Sequence, residues 1–240
     1  MSKKLKFVIG LLVIILLAMS WMGFRYYQEI GKRNSDDPLV WAADIDAFDA
    51  LVEATPPPPN AVVFVGSSSI RFWDTLAEDM APIPVIRRGF GGAKMNDVVY
   101  YADRLVTAYQ PRAVVVFAGS NDITPGSTKE PEELLLSYQQ FVAKVRLENP
   151  QLPIYYVAIT PSVRRWQVWP NARAVNAVIE QYSQSTPGLF YIDTGPALMG
   201  EDGKPIADNY MFDGLHLSEK GYSQWTSIIR PRLLKDLFSQ

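Results

Sequence analysis

Five short runs of uninterrupted apolar residues recur along the chain, and helical spacing fills most of the gaps between them. Ala61–Val65, Pro84–Ile86, Ala113–Ala118, Ile154–Ile159 and Leu189–Ile192 read as strands. Met95–Tyr109, Pro131–Glu148, Asn171–Ser183 and Ser218–Phe238 read as helices. Strands that are apolar on both faces must be covered on both faces, and strands alternating with helices feed a parallel sheet. The predicted fold is therefore α/β, a three-layer α/β/α sandwich around a five-stranded parallel sheet. Ahead of it, Asp37–Ala54 carries helical spacing and runs into Pro56-Pro57-Pro58-Pro59, a stiff polyproline spacer.

The amino-terminal pattern is different. Phe7 to Phe24 is 18 residues without a charge, flanked by Lys3, Lys4 and Lys6 on one side and Arg25 on the other. At 1.5 Å per residue the run covers roughly 27 Å, close to a hydrocarbon core of ~30 Å. An uncleaved membrane helix is the expectation, with a cleaved secretion signal as the alternative, because Trp21, Met22 and Phe24 extend the apolar run past Ala18-Met19-Ser20. The basic amino terminus would place the body outside the cytoplasm, periplasmic or extracellular. The expected organisation is an anchor or signal segment over 1–33, a helix and proline-rich linker over 34–60, and a catalytic domain over 61–240.

Charge narrows the partners. Six of the 23 bases and one of the 25 acids fall in residues 1–33, leaving a body with 17 bases, 24 acids and a net charge of −7. An acidic body gives nucleic acid no electrostatic footprint. The chain has no cysteine and a single histidine, His216, which removes disulfides, thiolate chemistry and Cys-ligated zinc. No cofactor or metal is expected.

The chemistry gathers where strands end. Gly66-Ser67-Ser68-Ser69 follows the first strand, Gly89-Phe90-Gly91-Gly92 the second and Gly119-Ser120-Asn121-Asp122 the third, while Asp213-Gly214-Leu215-His216 precedes the last helix. In a doubly wound sheet these points lie at the carboxyl edge, where such folds bind ligands. A serine hydroxyl needs a base to take its proton, and the base needs a partner to fix its tautomer. Ser68, His216 and Asp213 supply those three types. An oxyanion needs donors aimed at it, and the candidates are the backbone N–H groups of Ser68 and Gly92 and the side-chain amide of Asn121.

These blocks, in this order and spacing, resemble the SGNH/GDSL hydrolase superfamily over the stretch from Ala61 to the carboxyl terminus. The similarity is nearest to the branch with platelet-activating-factor acetylhydrolase-like domains, whose first block has the form V-F-V-G-x-S. The resemblance implies a flavodoxin-like sheet of order 2-1-3-4-5, a catalytic set of Ser68, Asp213 and His216, and an oxyanion hole of Ser68, Gly92 and Asn121. Two positions depart from the family pattern: Ser67 stands where an aspartate usually precedes the nucleophile, and Arg87 where an asparagine often precedes the second glycine block.

Each block also has a plain structural explanation, as a strand-to-helix turn, an Asx-turn or a residue preceding the N-cap Ser218. Their conjunction with the only histidine favours ester hydrolysis. A glycan- or lipid-binding module of weak activity and an acyltransferase with the same site remain as alternatives. Arg71, Trp73, Arg88 and Phe90 follow the first two strand ends, and Trp166 lies in the Pro161–Pro170 loop after the fourth. Aromatic faces beside arginines suit a sugar ring or an acyl chain next to an anionic head group, so these five are the expected substrate contacts. The expected partners are a small ester or an acylated glycan or lipid, with the membrane reached through the amino-terminal helix.

Overall fold

The computed structural model describes residues 2–238 and divides into two compact units, residues 1–40 and 41–240. The first unit holds α1 (Lys3–Asn34). Among the described residues no helix is long and apolar enough to cross a membrane. This corrects the membrane anchor and the membrane-tethered location expected from sequence.

The second unit begins with α2 (Ala42–Ala54) and alternates thereafter: β1 (Val62–Gly66), α3 (Ser68–Arg71), α4 (Leu76–Asp79), β2 (Val85–Gly89), α5 (Met95–Tyr100), α6 (Ala102–Leu105) and β3 (Ala113–Phe117). A two-stranded hairpin, β4 (Ile123–Thr124) and β5 (Ser127–Thr128), precedes α7 (Pro131–Val145), β6 (Ile154–Val157), α8 (Trp169–Ser185), β7 (Leu189–Ile192) and α9 (Glu219–Phe238). The main sheet is parallel with order β2-β1-β3-β6-β7. In order of use this is 2-1-3-4-5.

Alternating side chains of the strands serve the two helical layers. Val62, Phe64, Val115 and Tyr155 share one apolar cluster with Trp225, Ile229 and Leu233 of α9. On the opposite face Tyr156 packs against Tyr138 of α7 with ring centroids 5.0 Å apart, and α7 in turn packs against α5 and α8. Every residue of β1 and β3 is buried, and a fully buried aliphatic side chain of this kind contributes ~1.5–3 kcal/mol.

α2 belongs to the second unit. Trp41, just before it, is fully buried with its ring 5.5 Å from that of Phe90, and Arg104 of α6 bonds Asp46 at 2.7 Å and also Asp49. The predicted Met95–Tyr109 helix is broken: Tyr101 (φ −95°, ψ 12°) ends α5, and Gln110, in a left-handed conformation, ends the short 3-10 turn after α6.

Register sets the stage for the site. Gly66 of β1 lies opposite Gly89 of β2 and Phe117 of β3, so three strands end at one level and their following loops emerge together. Gly66 has φ +143°, and a Cβ there would sit 1.9 Å from the Phe117 carbonyl oxygen. Only glycine fits that crossing.

Candidate active site

β1 delivers Ser67 and Ser68 to the carboxyl edge. The Ser67 N–H donates to Phe117 O at 3.0 Å, continuing the ladder by one bond, and its carbonyl accepts from Ile70 and Arg71 as the chain turns into α3. This tight strand-to-helix turn holds Ser68 at 9% exposure. The turn before α9 brings the second half. Gly214, at φ +65°, lets the chain double back, and Asp213 Oδ1 accepts the N–H groups of Leu215 at 2.9 Å and His216 at 3.0 Å. Asp213 Oδ2 lies 2.5 Å from His216 Nδ1. His216 Nε2 lies 3.0 Å from Ser68 Oγ. Residues 148 positions apart thus stand in one hydrogen-bonded line.

A carboxylate only accepts, so the proton of the Asp213–His216 bond sits on Nδ1 and leaves the Nε2 lone pair facing the serine hydroxyl. Burial works to raise the Asp213 pKa, but the N–H donors of Leu215 and His216 and the imidazole itself outweigh it. The carboxyl is held below its usual value. Phe72, four residues past Ser68, meets the His216 ring edge-on with centroids 4.9 Å apart, and Arg71 lies over Phe72. The imidazole is thereby packed as well as bonded.

The two loops carrying Gly92 and Asn121 are laced together. Asp122, with a fully buried side chain, accepts from Met95 N at 2.9 Å and pairs with Lys129 Nζ at 2.7 Å. Asn121 Nδ2 donates to Ala93 O at 3.0 Å. Gly92, buried at φ +83°, lies in the same segment as Ala93. Arg165, from the loop after β6, donates to Asn121 Oδ1 at 2.8 Å and to Ser120 O at 2.6 Å.

A cleft of about 520 Å³, counting space open to solvent, is lined by Ser68, Asn121 and His216 and walled by Ile159, Arg165 and Trp169, among others. Among the expected substrate contacts, three are corrected. Trp73 is fully buried, stacked on Tyr222 with its Nε1 donating to Asp79 at 2.6 Å. Phe90 is 1% exposed against Trp41. Arg88 is 7% exposed, bonded to Tyr109 OH and lying over the Phe48 ring. The turn that follows α3, the inward face of β2 and the glycine loop direct these groups into the body, where an indole, a phenyl ring and a guanidinium stem gain more by burial than at the rim. Arg71 is exposed beside Gly91. Trp166 is half-buried and stacks on Trp169, and it is Trp169 that reaches the cleft. The sequence marks this loop, with its arginines and tryptophans, as bordering the crevice, and Trp166 within it as a contact, but does not distinguish Arg165; nor does it mark Phe72, although i,i+4 spacing from Ser68 puts it on the same side of a helical turn.

A parallel α/β/α sandwich with a serine, an imidazole and a carboxylate aligned at its carboxyl edge has the form of an ester-cleaving hydrolase. The model of the GDSL-like lipase/acylhydrolase family matches residues 57–224, and the chain belongs to that family. It is accordingly a hydrolase of ester bonds. The fold is shared with a GDSL-like lipase from Bacteroides thetaiotaomicron, 19% identical, with TM-score 0.69 over 81% of this chain and 99% of that one. It is shared also with a carbohydrate esterase of family 3 from Talaromyces cellulolyticus, 18% identical, with TM-score 0.58 over 73% of this chain and 97% of that one. An acetyl esterase mutant holding an acetate ion is 19% identical, with TM-score 0.58 over 73% of this chain and 97% of that one. No curated protein matches the chain.

Proposed function

We propose that the protein hydrolyses small acyl esters through Ser68, His216 and Asp213. Ser68 Oγ attacks the ester carbonyl while His216 Nε2 takes its proton, then returns it to the departing alcohol. Water, deprotonated by the same imidazole, releases the acid and regenerates the serine. Asp213 keeps the Nδ1–H tautomer and stabilises the imidazolium as it forms. The backbone N–H groups of Ser68 and Gly92 and the Asn121 amide receive the negative oxygen of the tetrahedral intermediate.

The observation that carries this reading is the 3.0 Å approach of His216 Nε2 to Ser68 Oγ, with the imidazole already bonded to Asp213. A confined cleft with apolar walls beside Asn121 favours a short acyl group. Trp169 and its stacked neighbour Trp166 offer an aromatic rim for a sugar-like alcohol portion. The acetyl esterase and carbohydrate esterase of similar fold agree with an acetylated glycan as the substrate class.

The test is a fluorophosphonate label followed by turnover of p-nitrophenyl acetate, butyrate and octanoate. Ser68→Ala is expected to lose the label and at least ~10⁴-fold in kcat, with the acetate the fastest wild-type substrate. Undiminished labelling of Ser68→Ala, or full activity in His216→Ala, would sink the assignment.

A further inference from the structure

We propose that Arg165 is a positioning residue, one that fixes the Asn121 amide in the orientation needed to receive the oxyanion; the inference rests on the reading of the site given above. An asparagine amide has nearly the same shape after a half-turn, but the turn exchanges an acceptor for a donor. Here both ends are specified. Arg165 Nη2 donates to Oδ1 at 2.8 Å, and Nδ2 donates to Ala93 O at 3.0 Å. A flip would set amide hydrogens against the guanidinium and Oδ1 against the Ala93 carbonyl, two repulsive contacts in place of two hydrogen bonds. Nδ2 carries two hydrogens; Ala93 O engages one, and the other is the one the cleft uses.

The guanidinium suits this task better than an ammonium. Its planar fork spans two consecutive residues, with Nη1 on Ser120 O at 2.6 Å and Nη2 on Asn121 Oδ1. The loop that carries it is itself tied down. Asn176 clasps Ile159 through both N and O, Ser162 Oγ accepts the Arg165 N–H at 3.3 Å, and Arg164 N donates to Gly214 O at 2.9 Å. One loop therefore holds the Asp213–His216 turn by its backbone and the Asn121 amide by a side chain. A positive charge on Oδ1 also draws electron density from the amide, so that its N–H binds an oxyanion more tightly than a neutral carbonyl. That gain appears in the transition state and leaves substrate binding untouched.

The experiment is a double-mutant cycle with p-nitrophenyl acetate on the full chain, with thermal melts of each variant. Asn121→Ala should lose ~10²–10³-fold in kcat, and Arg165→Ala about 10–100-fold with KM within about twofold. Arg165→Ala/Asn121→Ala should be no slower than Asn121→Ala alone, because Arg165 acts through that amide. Added methylguanidine should restore part of the Arg165→Ala rate and none of the double variant's. If Arg165→Ala melts too low to assay, Arg165→Lys, which keeps the charge but loses the fork, should show the same kcat loss to a smaller extent. Losses that multiply in the double variant, or a loss confined to KM, would overturn the proposal in favour of a direct substrate contact. Ser68→Ala separates the two readings: if it stays active the whole site is misassigned, whereas if it is dead while Arg165→Ala keeps full kcat, only the present inference fails.

Discussion

Asp213 makes three hydrogen bonds with two oxygens, and that economy fixes its protonation state as well as its place. Because the donors outweigh burial, its folded pKa lies below the unfolded one. A carboxylate with a depressed folded pKa stabilises the fold above its unfolded pKa and loses that contribution as pH falls through the folded value. The urea midpoint of the wild type should therefore lead that of Asp213→Asn by a margin that narrows once pH drops below about 3.9, the ordinary aspartate value. A margin unchanged from pH 7 to pH 2 would contradict the linkage. At neutral pH the same substitution leaves an amide facing Nδ1, which favours the wrong tautomer, and kcat should fall on the order of 10³–10⁴-fold. The residues that make this line were legible in the sequence because few residues could fill them, the imidazole being unique. Arg165 was not, since an arginine beside Arg164 in a loop carries no periodicity, and only the closed fold shows which of the two turns inward.

At the scale of the element, the strand-to-helix turn after β1 is the tightest constraint. Gly66→Ala places a methyl 1.9 Å from the Phe117 carbonyl, the same oxygen that accepts the Ser67 N–H. Relief requires β1 and β3 to separate at the level of the nucleophile. The variant should lose more than about 3 kcal/mol in chemical denaturation and most of its esterase activity. An alanine variant within ~1 kcal/mol of wild type would show that the crossing yields easily. Continuous apolar runs made the five strands readable, and Leu189–Ile192 stands as expected. Short helices leave no such signal: α3 and α4 span four residues each, too few for a 3.6-residue period to show. Without that helix Trp73 reads as a rim residue, whereas the turn that follows α3 carries it into the core. The β4–β5 hairpin has two-residue strands, too short for an alternating pattern, and only Pro125-Gly126 marks its turn.

For the molecule as a whole, the boundary between units falls at Trp41 rather than after the tetraproline. Trp41 and Ile45 are fully buried, and Arg104 relies on Asp46 and Asp49. A chain beginning at residue 41 should melt within a few degrees of the full protein (about 1 kcal/mol or less) and keep its p-nitrophenyl acetate turnover within about twofold. A chain beginning at residue 61 loses a buried indole and an ion-pair pair, and should be destabilised by about 3–5 kcal/mol or more. Equal stability of the two truncations would place α2 outside the folded body. The proline run suggested a boundary by its stiffness, but stiffness in a linker says nothing about whether the helix before it docks.

The solitary imidazole has one more consequence. Protein grown on ring-labelled ¹⁵N-histidine would carry its label at a single residue, so its nitrogen spectrum would report from the proposed active site with no background. The tautomer, the charge and the strength of the bond to Asp213 would all be readable in two resonances. The same pair of signals, followed while a slow ester is consumed, would show whether the imidazole changes its charge state during turnover, as the proposed mechanism requires.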